Sequence, residues 1–175
     1  MRWALLAIVL LALGGVPACA SSTEPHASRA PVHADPVEQK LDAVAAVHGA
    51  PGPWAVAGYR MSEYALTRLG LGRGSFDLVV THHSPKEVRF SCIADGVAAQ
   101  SGASAGKLNL TVEEAQEKDL RTTYRDKRTG RSLTLRPTEA FRIRYADTPR
   151  ERAWQLGREV LELPQHLVFE EMSEP

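Results

Sequence analysis

Four short segments of this 175-residue chain hold side chains whose types and spacing suit chemistry. The first is His48-Gly49-Ala50-Pro51-Gly52-Pro53-Trp54. Two glycines and two prolines around a histidine make a stiff loop. It would either fix an imidazole and offer helix N-terminal amides to an anion, or cap one helix and turn into the next. The second is Ser91-Cys92-Ile93-Ala94-Asp95-Gly96. A cysteine near a helix N-terminus has its pKa lowered by the helix dipole, giving a thiolate that can bind a metal or attack an electrophile. The other reading is a buried cysteine acting as a small apolar residue. The third segment, Gly102 to Asn109, places Lys107 after two glycines. It is one residue short of the phosphate-binding G-x-x-x-x-G-K-[ST], and Leu108 stands where a hydroxyl would hold Mg²⁺, so nucleotide binding is not expected. The fourth is His82-His83. Adjacent strand residues face opposite sides and would not chelate one ion, and the pair is expected to be solvated in a turn.

These residues need elements to position them. Asp35-Pro36 has the form of a helix start, Asp as N-cap and Pro at the first helical position, and Val37, Leu41, Val44 and Val47 follow at helical spacing. His48-Gly49 closes that helix, and Ala50-Pro51-Gly52-Pro53 cannot continue it. The period returns from Trp54 through Val56, Tyr59, Tyr64, Leu66 and Leu69, ending at Gly70, which predicts a long central helix. Phe76 to Thr81 reads as a strand, Glu87 to Phe90 as an edge strand, and Ile93 to Gln100 as a helix. Lys107 to Val112 alternates as a strand. Thr122–Arg125 and Ser132–Arg136 flank Lys127-Arg128-Thr129-Gly130 as a hairpin. Two more helices are predicted, Pro137 to Tyr145 and Arg150 to Leu163, then a short strand over Leu167 to Phe169. Irregular interleaving of strands and helices, with a hairpin, indicates a single α+β domain. Arg121, Arg125, Arg128, Arg131 and Arg136 are balanced by Glu113, Glu114, Glu117, Asp119 and Asp126, so that face is expected to be solvated and mixed in charge.

The N-terminus carries an address. Met1-Arg2-Trp3 is followed by an apolar run from Ala4 to Val16 and then Pro17-Ala18-Cys19-Ala20. These are the parts of a secretory signal, and the run is short of the roughly 20 residues that cross a bilayer. Ala18-Cys19-Ala20 is an A-x-A cleavage site, while Val16 to Cys19 resembles the bacterial lipobox, with Cys19 as the lipid-bearing residue. The second route is preferred, because residues 21–35 are rich in Ser, Ala, Pro and His and suit a tether. The expected organisation is a signal over 1–20, a tether over 21–35 and a globular domain over 36–175. The expected location is the bacterial cell envelope, lipid-anchored or periplasmic. With Cys19 lipidated or removed, Cys92 is the one remaining thiol and no intramolecular disulfide can form. Twenty-one basic and 21 acidic residues give a formal net charge of zero, which argues against a nucleic-acid partner. The membrane would be met only through the lipid anchor, and a homodimer is an admissible assembly.

Taken together, the first three segments resemble the FmdE family of formylmethanofuran dehydrogenase. The family's H-G-H-x-C-P-G motif precedes a helix containing G-Y-R, and here His48 to Trp54 precedes Gly58-Tyr59-Arg60 at the same spacing. Its C-x-x-D-A-I-Q-x-x-T-G-C-T-x-G-K-x-N-L motif is similar to Cys92, Asp95, Gly102, Gly106, Lys107, Asn109 and Leu110, aligned without a gap. Thr129-Gly130 matches a turn in the hairpin that follows. The resemblance spans about His48 to Leu135 and implies a metal site, usually zinc. Yet Ala50 stands where the family has its second His, Gly52 where it has a Cys, and Ala103 where it has a later Cys. Of that set His48 and Cys92 remain as metal ligands, with Asp95 a further candidate, whereas zinc takes three or four ligands from the protein; a remodelled site, one completed by His82 or His83, or no metal at all are the alternatives. Trp54 replaces a Gly beside the lost ligands, where it would fill the vacated volume or line a pocket for a flat ligand.

The resulting expectation is an exported binding protein, not an enzyme, whose small ligand or metal sits between the His48 loop and the Cys92 helix. Its candidate ligand-binding residues are His48, Trp54, Tyr59, Cys92, Asp95, Lys107 and Asn109. Two alternatives stand beside it. One is an accessory lipoprotein without a small-molecule site. The other is an enzyme with Cys92 as nucleophile, His48 as base and Asp95 orienting one of them.

Overall fold

Asp35 starts the first helix as its sequence demands: the carboxylate accepts a hydrogen bond from the Val37 amide at 2.9 Å, with Pro36 next at the first helical position. This helix, α1, runs over Pro36–His48 and stops at Gly49, whose φ of 87° lies in the left-handed region. The computed structural model describes residues 35–173. The expected signal, most of the expected tether and Cys19 lie outside the described residues.

Helix α2 spans Pro53–Leu69 and is the central helix of the core, buried along most of its length from Pro53 to Leu69. Strand β1 (Leu78–Ser84) leads into helix α3 (Val88–Ser101), then strand β2 (Leu110–Glu114), the hairpin β3 (Arg121–Asp126) and β4 (Ser132–Pro137), helices α4 (Glu139–Arg144) and α5 (Ala153–Glu162), and strand β5 (Phe169–Glu171). The five strands form one sheet in the order β2-β1-β3-β4-β5. β1 and β2 are parallel, joined by α3 as the crossover that parallel pairing needs, and every other pair is antiparallel. The fold is α+β with a mixed sheet.

Helices α2 and α3 pack against each other more extensively than any other pair of elements. Glycine makes that approach attainable. A Cβ on Gly58 would lie 2.1 Å from the Ile93 carbonyl oxygen, and one on Gly96 would lie 1.7 Å from that of Ala55. Gly157 does the same for α5, where a Cβ would come within 1.9 Å of the Pro51 carbonyl oxygen. Arg60 then ties the far end of α5, donating from Nη1 to the Val160 and Leu163 carbonyls at 2.6 and 2.7 Å. A cation on the last carbonyls of a helix satisfies orphan acceptors and complements the dipole.

Several sequence expectations are corrected: β2 begins at Leu110 rather than Lys107, and the last strand runs over Phe169–Glu171 after a 3-10 turn at Gln165–Leu167. Glu87 to Phe90 is not an edge strand: Val88 opens α3, and Phe90, Ile93, Ala94 and Val97 form its buried stripe. Four alternating residues are too few to separate a strand from the first turn of a helix. Nor are His82 and His83 in a turn, since the strand begins two residues later than expected and runs on to Ser84. They do face opposite sides of it. His82 is fully buried and His83 meets Glu113 at 3.4 Å.

Candidate functional site

The loop between α1 and α2 builds one wall of a cavity of about 370 Å³. Gly49 closes α1 with its amide on the Ala45 carbonyl at 2.8 Å, and Gly52 opens α2 without any side-chain cap. The segment thus caps α1 and turns into α2. His48 is held as the last residue of α1, and an uncapped helix start borders the same space. Val88, Arg89 and Cys92 of α3 form the facing wall, and Thr148, Arg150 and Ala153 close the side.

His48 Nδ1 lies 2.7 Å from Asp95 Oδ2. A carboxylate only accepts, so Nδ1 carries the proton and Nε2 is left as the free ring nitrogen. Cys92, one turn before Asp95 on α3, is half-buried and reduced. Its thiol is pushed up to about 11, by burial first and by the neighbouring Asp95 charge second. The expected lowering does not occur, because α3 begins at Val88 and Cys92 already sits in its second turn, beyond the terminal amides. No hydrogen bond joins the thiol to His48.

Trp54 is packed into the core and also reaches the cavity. It is 5% exposed, donates from Nε1 to the Tyr145 carbonyl at 2.8 Å and stands edge-on to Phe90 and Phe141, each 5.1 Å away. It still borders the cavity, together with Pro53 and Ala55.

The remaining candidates lie elsewhere. Tyr59 is buried at the α2–α3 crossing and is not part of the cavity wall. Lys107 Nζ donates to the Gly74 and Gly102 carbonyls at 3.0 and 2.9 Å and sits 4.7 Å over the Phe76 ring, tying two loops together. Asn109 accepts from the Ser104 amide at 3.0 Å and donates to the Leu78 carbonyl at 3.0 Å. Ala103 is buried beyond the end of α3 and does not border the cavity. Arg89, Thr148 and Arg150 are wall residues that sequence reasoning missed. A strand over Glu87 to Phe90 hides the part of Arg89, and nothing local marks the segment around Arg150.

The residues present do not fit zinc. His48 and Cys92 are two donors, and Asp95 is engaged with His48 Nδ1. Among the described residues no three His, Cys, Asp or Glu side chains gather as a metal-binding group. A zinc site takes at least three protein ligands, with thiolates among its sulfur donors. His82 does not complete the set. It is enclosed between the sheet and α3, bonded to Thr122 Oγ1 at 2.9 Å and to the Phe90 carbonyl at 3.1 Å. A larger groove of about 610 Å³ runs past Gly130–Thr134 and Glu171–Ser173, but it holds none of the candidate residues and ends at the last described one.

Fold and cavity together define a small α+β domain with a mostly apolar cleft at the start of its central helix. The chain matches the family described as FmdE, Molybdenum formylmethanofuran dehydrogenase operon, over residues 47–170, and it belongs to that family. No curated protein matches it.

Proposed function

We propose that this chain is an exported member of the family that binds a small organic ligand in the His48–Cys92 cavity and does not turn it over. The observation that carries the reading is the cavity itself. It collects His48, Trp54 and Cys92 from three separate elements around one space, at the place where Ala50 and Gly52 depart from the family's pattern. Ligand pockets are typically concave, mostly apolar and furnished with a few polar groups, as this one is. The Cys92 thiol, raised to about 11, would be ionised in only about one molecule in 10⁴ at pH 7, which disfavours a nucleophilic role.

Export rests on the sequence of residues 1–20, with Cys19 either lipidated or discarded. Among the described residues no helix is long and apolar enough to cross a membrane. The mass of the mature N-terminal peptide distinguishes the two fates of Cys19, and an intact Met1 in envelope-fractionated cells would contradict export.

The enzymatic alternative draws on one specific observation, the His48–Asp95 pair, which orients an imidazole as a base would need. The binding reading is tested by extracting the protein from cells and identifying small molecules that accompany it. His48→Ala and Cys92→Ala are expected to lower the retained amount at least fivefold while the far-ultraviolet spectrum is kept. Equal retention by both variants would place any ligand elsewhere.

A further inference from the structure

We infer that the ligand of this cavity is a small organic acid, a carboxylate on an apolar or aromatic body. The inference rests on the reading of the cavity as a binding site. Arg89 and Arg150 both line it, and no Asp or Glu does. Glu87 neutralises part of the Arg89 charge from behind the wall, but the surface facing the cleft carries guanidinium and no carboxylate, which disfavours a cationic ligand and complements an anion.

The two arginines differ in what they can do. Arg89 is pinned: Nη1 donates to the Ala146 carbonyl at 3.3 Å, Nη2 lies 3.3 Å from Glu87 Oε2, and the guanidinium covers the Phe90 ring at 4.5 Å. It contributes a fixed positive charge to the wall. Arg150 is exposed on the short 3-10 turn before α5, and among the described residues its guanidinium makes no hydrogen bond or ion pair. That leaves its planar fork of donors open for a bidentate grip on a carboxylate. Val88, Pro53, Trp54, Ala55 and Ala153 supply apolar wall for the rest of the molecule. A bare inorganic anion would leave that wall uncovered, so the ligand needs a hydrophobic body as well as a charge.

The test is an amide-resolved nuclear magnetic resonance titration of the mature chain with benzoate, its neutral isostere benzamide, and inorganic phosphate. Benzoate is expected to move the amides of Trp54, Arg89 and Arg150, benzamide to bind at least tenfold more weakly, and phosphate to move none of the three. Arg150→Gln is expected to weaken benzoate at least fivefold without altering the rest of the spectrum, and Arg150→Lys to keep part of the affinity. Benzamide binding as tightly as benzoate would overturn the acid and leave the cavity reading standing. So would phosphate binding as well as benzoate, an Arg150→Gln variant with wild-type affinity, or silence of all three probes in a protein that carries a neutral ligand from cells. Silence of the probes together with nothing bound in cells would remove both readings.

Discussion

At the scale of single residues, environment rather than residue type decides the chemistry. Cys92 is the clearest case. Burial and the Asp95 charge both raise its thiol pKa, so the thiolate is scarce near neutrality. Alkylation of the Cys92 peptide by iodoacetamide at pH 8 is expected to be at least roughly tenfold slower than that of free cysteine. Asp95→Asn should speed it, since removing the carboxylate removes one of the two causes. A wild-type rate equal to free cysteine would contradict this picture. His82 makes the opposite kind of case. Burial lowers it to about 4 although the Phe90 carbonyl favours its charged form. Phe90 O accepts from Nε2–H, so Nδ1 accepts the Thr122 hydroxyl proton, and one neutral tautomer satisfies both nitrogens. The folded pKa lies below the unfolded one of 6.5, so the contribution is complete above about pH 6.5. It declines as pH falls toward about 4, because the unfolded chain takes up a proton that the folded chain does not, and it changes no further below that. Between pH 7 and pH 5 this one residue should remove about 2 kcal/mol of stability, measured by urea unfolding. His82→Gln should flatten that slope, and an unchanged slope would sink the assignment.

At the scale of elements, the residues that match the family's motifs mostly hold the scaffold together. Gly58 lets α2 and α3 touch backbone to backbone, aided by Gly96 where the motif has an Ala, Arg60 closes the end of α5, and Lys107 and Asn109 fasten the loop after α3. Gly96→Ala would force a carbon into the Ala55 carbonyl and should cost about 3 kcal/mol or more in thermal or urea unfolding. A variant of wild-type stability would show that the crossing is looser than described. The sequence made these elements legible where a local signal was complete. Asp35-Pro36, His48-Gly49 and Gly70 bounded α1 and α2, and Lys127–Gly130 marked the β3–β4 hairpin. It failed at Glu87 to Phe90, where a four-residue alternation resembled a strand because the rest of the α3 stripe lay further on. The site was half legible for the same reason. His48, Trp54 and Cys92 stand in marked segments. Arg150 reaches the cavity through the way α5 packs on Pro51, a long-range arrangement that no local spacing encodes.

At the scale of the whole molecule, the chain matches the family over residues 47–170 while positions that the resemblance assigns to metal ligands hold other residues. Ala50 and Gly52 border the cavity where the resemblance would place a His and a Cys, and the donors present are too few for zinc. An open, arginine-edged cleft therefore occupies the place the resemblance assigns to a metal. The most direct test of that claim compares the native and denatured masses of the full mature chain recovered from cells, with zinc measured in the same sample. The expected result is one organic adduct per chain, below about 300 Da to fit the cavity, lost on denaturation and accompanied by far less than one zinc. One zinc per chain, or a native mass equal to that of the bare polypeptide, would contradict it.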